Sequence, residues 1–163
     1  MKSLLFVCLG NICRSPSAEA VMNDFLKNAG LDNQIICDSA GILNFHKGNM
    51  ADKRMRSHAS KRGYDITSLS RPIDPKVDFE KFDMIIGMDD QNIHDLNALA
   101  KSDKYRQKIY RMTDFCTKFD YDSVPDPYYG DAENFELVLD LLEDACSGLI
   151  DFLKNDQKIS KVP

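Results

Sequence analysis

A short apolar run near the amino terminus, followed by a turn and an amphipathic helix, constrains the fold of this chain more than any other feature. Residues 4–7 contain no polar side chain and are followed by Gly10 and Asn11, which is typical of a strand buried on both faces in a parallel sheet. Ser15 and Pro16 then suit the N-cap and the first turn of a helix. The chain therefore begins with a strand, a loop and a helix.

Similar units follow along the chain. Apolar runs predict three further strands, at residues 34–39, 84–88 and 108–112. Helical periodicity predicts helices near residues 50–62 and 92–100. This alternation predicts a single-domain, three-layer α/β fold, in which helices cover both faces of a small parallel sheet of about four strands.

A long final helix sets the expected boundary of the domain. Apolar residues from Phe135 to Leu153 form one stripe, while Asp144 and other carboxylates fall on the remaining faces. Residues 155–163 lose this pattern. We therefore expect one domain over residues 1–154 and a polar tail over residues 155–163.

The composition disfavours several classes of protein. The 163 residues include 21 Lys and Arg against 26 Asp and Glu, and the resulting charge of −5 disfavours nucleic acid as a partner. The apolar run at the amino terminus is too short for a secretory signal, and no segment approaches the roughly 20 apolar residues of a membrane helix. Five cysteines without framework spacing indicate free thiols. We expect a cytoplasmic monomer that binds neither nucleic acid nor a membrane.

The loop between the first strand and the first helix suggests phosphate chemistry. In an open α/β sheet, anions bind beyond the carboxyl ends of the strands, where a helix N-terminus presents unpaired N–H groups. Gly10 lets the backbone curl around such an anion, and Arg14 offers a planar fork for two of its oxygens. Cys8 would then lie at the floor of the site. The loop lacks the Gly-Lys-Ser/Thr ending of a nucleotide-binding P-loop.

A cysteine at the floor of an anion site would be a nucleophile. Thiols at helix N-termini ionise well below the value of about 8.5 for free cysteine, and Ser15 is placed to hydrogen-bond the sulfur. Taken alone, Cys8 is better interpreted as a buried cysteine at the end of a strand. Its joint placement with Gly10, Arg14 and Ser15 favours an active site.

A second loop offers a carboxyl group that could protonate a leaving group. Asp126 begins the sequence Asp-Pro-Tyr-Tyr-Gly, which ends at Gly130 just before the final helix. Functional residues are common on such loops. From the spacing alone, an ordinary Asp-Pro turn followed by two packing tyrosines is the favoured interpretation.

Together the two loops resemble the signatures of the low-molecular-weight protein tyrosine phosphatases, V-C-x-G-N-x-C-R-S-P and D-P-Y-Y-G. They stand here at residues 7–16 and 126–130. The likeness extends over nearly the whole chain, through Ser39-Ala40-Gly41, Met88-Asp89 with Asn92, and Phe135-Glu136.

The resemblance implies hydrolysis of an aryl phosphomonoester, either phosphotyrosine in a protein or a small aryl phosphate. Cys8 would accept the phosphoryl group, Arg14 would hold it, and Asp126 would act as general acid and then as general base. Neither a metal nor a cofactor is implied. The substrate-binding residues that it implies are Leu9, Gly10, Asn11, Ile12, Cys13, Ser15, Phe45, Tyr128 and Tyr129.

Two positions depart from the family. Relatives often carry Trp or Tyr where this chain has Phe45, so an apolar wall is kept without a polar edge. Many relatives carry a supporting His where this chain has Ser68, which leaves open what braces Asn11.

Related activities provide the alternatives. Arsenate reductases of similar sequence use a further cysteine pair, whereas the late cysteines here, Cys116 and Cys146, lie thirty residues apart. Arginine phosphatases tend to have Thr in place of Ile12. A non-catalytic or redox-sensing phosphotyrosine-binding module is a further alternative, since Cys13 is close enough in sequence to form a disulfide with Cys8, although Cys13 also suits a small buried loop residue.

Overall fold

Four parallel strands form the central sheet of the protein, whose computed structural model describes residues 1–155. They are β1 (Lys2–Cys8), β2 (Ile35–Gly41), β3 (Met84–Gly87) and β4 (Ile109–Arg111). The order across the sheet is β2, β1, β3, β4, so β1 is a central strand with a parallel partner on each side. The predicted α/β class and four-stranded parallel sheet are confirmed.

Six helices and one 3₁₀ turn accompany the sheet in the described residues. The helices are α1 (Arg14–Asn28), α2 (Lys53–Lys61), α3 (Asp78–Lys81), α4 (Asp90–Leu99), α5 (Asp103–Arg106) and α6 (Ala132–Asn155), and the 3₁₀ turn is Met112–Phe115. None of the helices in residues 1–155 is both long and apolar enough to cross a membrane. The remainder of the predicted tail, residues 156–163, lies outside the described residues.

The uninterrupted apolar character of β1 follows from its two buried faces. Leu4 and Phe6 belong to the core that contains the inner faces of α1 and α6. Leu5 and Val7 belong to a second core, on the opposite side of the sheet, which includes Phe79 of α3. Successive residues of a strand point to opposite faces, so every position between these cores must be apolar.

Asp144 of α6 is the main departure from the predicted surface pattern. Instead of facing solvent it is 5% exposed. It accepts hydrogen bonds from the backbone N–H groups of Thr117, Lys118 and Phe119, at 2.9 to 3.1 Å. Burial alone would raise the pKa of Asp144, but these hydrogen bonds hold the pKa below its ordinary value. This carboxylate fastens the loop after the 3₁₀ turn to α6.

We expect Asp144→Ala to lower the free energy of unfolding by about 2 kcal/mol at neutral pH, because hydrogen bonds to a charged group are lost. A lowered folded-state pKa gives stability that is complete above the unfolded value of about 3.9 and is lost as the pH falls through the folded-state pKa. The difference between variant and parent in urea titrations should therefore shrink below about pH 4. Asp151→Ala, on the exposed face of the same helix, is the control. Equal losses in the two variants would contradict the assigned role of Asp144.

Candidate active site

A cavity of about 290 Å³ opens at the carboxyl end of β1, where the loop of residues 9–13 leads into α1. Ligands of open α/β sheets bind at this edge. The residues lining the cavity are Cys8, Leu9, Gly10, Ile12, Cys13, Arg14, Leu43, Phe45, His46, Asp126, Tyr128 and Tyr129. Every site residue expected from the sequence is in this lining except Asn11 and Ser15, which lie directly behind it.

Residues after β2 hold the backbone of the loop. The carbonyl oxygens of Cys8 and Leu9 accept hydrogen bonds from the N–H groups of Ile42 and Leu43, at 3.0 and 2.9 Å. A Cβ atom on Gly41 would lie only 3.0 Å from the carbonyl oxygen of Leu9. Any side chain at Gly41 would therefore push against the loop.

Asn11 braces the loop in a left-handed backbone conformation, with φ of 56°. Asparagine tolerates this conformation better than most residues. Its Nδ2 donates to the hydroxyls of Ser15 and Ser39, at 2.7 and 3.0 Å. Its Oδ1 accepts the backbone N–H of Arg71 at 3.0 Å. These partners brace Asn11 directly. Ser68 supports them at one remove, because it hydrogen-bonds Glu19, which accepts the Ser39 hydroxyl at 2.6 Å.

The sulfur of Cys8 lies in a polar setting. Its Sγ is 3.0 Å from Ser15 Oγ and accepts the backbone N–H of Asn11 at 3.3 Å. Ser15 therefore does not cap α1, and the sequence-based prediction of an N-cap there is wrong. The helix begins at Arg14, and its cap position, Cys13, makes no side-chain capping bond within the described chain. The first turn of α1 keeps N–H groups that can bind an anion.

Arg14 is only 3% exposed, and its guanidinium is held from two sides. Its Nη1 donates to Asp89 Oδ2 at 2.5 Å and to the carbonyl oxygen of Val124 at 3.1 Å. Its Nη2 lies 3.7 Å from Asp126 Oδ2. Burial alone would lower the pKa of Arg14, but Cys8, Asp89 and Asp126 together hold the pKa above its ordinary value. The guanidinium is therefore a permanent cation in the cavity wall.

Asp89 was noted in the sequence only as part of the family resemblance, and its contact with Arg14 was not predicted. It follows Met88 at the carboxyl end of β3, and its Oδ1 also caps α4 through the backbone N–H of Asn92 at 2.7 Å. The sequence did contain a signal for this contact. Asp89 directly follows a buried strand, and the carboxyl ends of parallel strands meet at the edge of the sheet where ligands bind.

The second cysteine of the loop differs from the first. Burial raises the pKa of the Cys13 thiol, and the nearby Asp52, Cys8 and Asp126 raise it further. Cys13 therefore stays a neutral thiol at physiological pH. Both cysteines are free in this structure.

Aromatic side chains form the mouth of the cavity. Phe45 is 83% exposed and Tyr129 is 94% exposed. The rings of Tyr128 and Tyr129 are nearly perpendicular, with centroids 4.9 Å apart. His46, which the sequence did not signal, lies between the two walls, with ring centroids 6.0 Å from Phe45 and 6.5 Å from Tyr128. These rings give the cavity mouth an apolar surface against which a flat ring can pack.

Asp126 stands at the same mouth as these aromatic rings. Its side chain is 43% exposed, and its Oδ1 accepts the backbone N–H of Tyr128 at 3.1 Å. The carboxyl group is therefore oriented by its own loop while it remains accessible to a ligand and to water.

The late cysteines lie away from the cavity. Cys116 and Cys146 are not in its lining, and burial raises the pKa of both, to about 12 for Cys116. In residues 1–155, no three His, Cys, Asp or Glu side chains are grouped so that they could hold a metal ion.

Comparisons with known proteins agree with this geometry. A model of the family described as low molecular weight phosphotyrosine protein phosphatase matches residues 3–159. A protein tyrosine phosphatase of Entamoeba histolytica, solved with Hepes in the active site, superposes with a TM-score of 0.93 at 48% identity, covering 98% of this chain and all of that one.

Two curated relatives carry the family's name. The Synechocystis protein is 47% identical over 147 residues, which cover 90% of this chain and 93% of the relative. The human low molecular weight phosphotyrosine protein phosphatase is 35% identical over 151 residues, which cover 92% and 94% of the two chains. The chain belongs to the low molecular weight phosphotyrosine protein phosphatase family.

Proposed function

We propose that this protein hydrolyses phosphotyrosine and small aryl phosphates by transferring the phosphoryl group to Cys8. The observation that carries the proposal is the position of the Cys8 sulfur at the floor of a cavity that Arg14 and Asp126 also line. The aromatic walls of the cavity mouth suit a phosphorylated ring, and the N–H groups at the start of α1 suit its phosphate.

In the first step, the Cys8 thiolate attacks phosphorus and the bond from phosphorus to the phenolic oxygen breaks. Asp126, in its protonated form, gives its proton to the departing oxygen. The Arg14 guanidinium and the backbone N–H groups of residues 9–14, apart from that of Asn11, which donates to the sulfur, hold the three remaining phosphate oxygens, where charge spreads in the transition state. The products are a free phenol and a phosphocysteine.

In the second step, the Asp126 carboxylate removes a proton from water while the water oxygen attacks phosphorus. The bond from phosphorus to sulfur breaks, and the thiolate of Cys8 leaves. Ser15 Oγ accepts a hydrogen bond from Asn11. Its own hydrogen has two acceptors within reach, and the sulfur at 3.0 Å is nearer than the carbonyl oxygen of Ala40 at 3.4 Å. Ser15 therefore stabilises the leaving thiolate as inorganic phosphate is released.

We expect Ser15→Ala to slow the second step more than the first. Loss of a hydrogen bond to a charged sulfur corresponds to roughly 10- to 100-fold in rate. The phosphocysteine should accumulate, so stopped-flow traces should show a burst of p-nitrophenol before the steady state. Ser17→Ala is the matched control, because the Ser17 hydroxyl donates to the carbonyl oxygen of Cys13 and not to the sulfur. A burst of equal size in both variants would contradict this role.

The test of the proposed function is a phosphopeptide panel in the presence of EDTA. Peptides that carry phosphotyrosine, phosphoserine or phosphoarginine are compared, and acid-quenched samples are examined for phosphate on Cys8 by mass spectrometry. We expect rapid turnover of phosphotyrosine, and Ile12 in the cavity wall should disfavour phosphoarginine. Dependence on added metal, or turnover without phosphate on Cys8, would refute the mechanism.

We also propose that a monomer carries the whole activity in its domain of residues 1–154. In support, one chain supplies every residue of the cavity, between Cys8 and Tyr129. The cytoplasm is the proposed location, because the free thiols of Cys8 and Cys13 persist in a reducing compartment.

A further inference from the structure

The segment on one side of the cavity mouth is strongly basic, although the chain as a whole carries a charge of −5. Residues 45–63 contain one carboxylate, Asp52, and six cationic side chains, which are Lys47, Lys53, Arg54, Arg56, Lys61 and Arg62. Protein surfaces usually mix charges of both signs. The segment therefore needs an explanation beyond solubility.

Three of these cations have structural partners. Arg54 Nη2 pairs with Asp52 at 3.0 Å and donates to the carbonyl oxygen of Tyr128 at 2.9 Å. Arg56 Nε donates to a backbone carbonyl oxygen at 2.9 Å. Arg62 pairs with three carboxylates of α6. These contacts account for the three arginines.

Lys47 and Lys53 are exposed, and neither forms an ion pair within residues 1–155. Lys47 follows His46 in the cavity wall. Lys53 follows Asp52, whose backbone N–H donates to the carbonyl oxygen of Ile12 in the same wall, at 2.8 Å. We call these two lysines the basic rim, because each is one residue from a group that lines or contacts the cavity.

The basic rim is not explained by the stability of α2. Lys53 is the first residue of the helix, where the helix dipole disfavours a cation. Arg56 lies three residues later, and like charges at that spacing repel. An acidic residue at position 53 would suit the helix better, so the lysine is more readily explained by an anionic ligand.

The loop that adjoins the basic segment at the mouth, through the hydrogen bond from Arg54 to the carbonyl oxygen of Tyr128 at 2.9 Å, has the reverse charge. Residues 120–133 contain no Lys or Arg and five carboxylates, from Asp120, Asp122, Asp126, Asp131 and Glu133. This segment includes Tyr128 and Tyr129 of the cavity wall. An extended polyanion such as a membrane surface or RNA would meet repulsion there, whereas a peptide with acidic residues on one flank would not.

We propose that the basic rim selects phosphotyrosine peptides with acidic residues on the one flank that crosses it. This inference rests on the proposed function and names its substrate class. The phosphotyrosine enters the cavity, and the acidic side chains that precede or follow it lie over Lys47 and Lys53. Such contacts act mainly on capture of the substrate, and salt screens them.

The test compares three phosphotyrosine peptides, one with neutral flanks, one acidic only before the phosphotyrosine and one acidic only after it. We expect kcat/KM at low ionic strength to be about tenfold higher for one acidic peptide than for the neutral one, and the difference to fade in high salt. The double variant Lys47→Glu with Lys53→Glu should lose this preference and keep kcat for the neutral peptide. The control, Lys27→Glu with Lys101→Glu, makes the same charge change on two exposed lysines, one in the last turn of α1 and one just after α4, that are not in the cavity lining, and it should keep the preference.

Several results would overturn the inference. These are equal turnover of all three peptides, equal preference for both acidic peptides, or equal loss of preference in both double variants. If the parent protein sediments with phosphatidylserine vesicles, the Lys47→Glu, Lys53→Glu variant does not, and no peptide is preferred, the basic rim would be assigned to membrane binding instead. Absence of turnover for every phosphotyrosine peptide would refute the proposed function itself, and the inference with it.

Discussion

Cys8→Ser is expected to reduce kcat for p-nitrophenyl phosphate by at least about 10⁴-fold, the scale seen when a catalytic nucleophile is removed. A serine hydroxyl stays protonated where a thiol can ionise, so it cannot attack phosphorus at a useful rate. Steady-state assays of the purified variant in EDTA measure the loss. Phosphate binding should survive, since Arg14 and the loop N–H groups are unchanged, and calorimetric titration with a phosphotyrosine peptide should give a Kd within a few-fold of the parent's.

Cys13→Ser is the matched control for this experiment. Its thiol lines the same cavity, but burial raises its pKa and keeps it neutral. We expect this variant to retain turnover within about tenfold, the cost of a modest change in packing. Turnover near the parent's in Cys8→Ser, or equal inactivation of both variants, would show that the nucleophile lies elsewhere.

The features that could be predicted from the sequence are those encoded by neighbouring residues. Strand β1 was recognisable because burial of both faces leaves an unbroken apolar run. The anion loop was recognisable because Cys8, Gly10 and Arg14 stand within seven residues at the junction of strand and helix. The floor of the site could therefore be predicted, because the residues that form it are neighbours in the sequence.

The features that the sequence did not predict depend on contacts between distant residues. Asp89 reaches Arg14 across 75 positions of the chain, and the N–H of Arg71 reaches Asn11 across 60. No periodicity of one segment encodes such a pair. The helices α3 and α5 have four residues each, too few for a helical repeat to be recognised.

A hydroxyl near a helix start also has two possible partners, which explains the wrong prediction of the N-cap. Ser15 has the residue type of a cap, but its hydroxyl is engaged by the Asn11 amide, which donates to it at 2.7 Å, and by the Cys8 sulfur at 3.0 Å. Only the three-dimensional arrangement decides between a cap and these partners. The uncapped helix end that results is the part of the site that can bind phosphate.

Asp126→Asn is expected to reduce kcat for a phosphotyrosine peptide by roughly 10²- to 10⁴-fold, the usual contribution of a general acid. The effect on p-nitrophenyl phosphate should be smaller in the first step, because p-nitrophenolate leaves without full protonation. Asparagine can still accept the hydrogen bond that Tyr128 N–H makes to Oδ1 at 3.1 Å, so the loop geometry is kept. The variant also removes a negative charge 3.7 Å from Arg14 Nη2, and phosphate binding should therefore not weaken.

Asp131→Asn is the matched control for the general acid, since it makes the same substitution on an exposed residue five positions along the loop. Single-turnover measurements with both substrates separate proton donation from the later attack of water. If Asp126 donates the proton, the ratio of parent to variant rates must be larger for tyrosine, the poorer leaving group, than for p-nitrophenol. Equal ratios for the two substrates would assign Asp126 to positioning alone, and equal losses in Asp131→Asn would assign the effect to the loop as a whole.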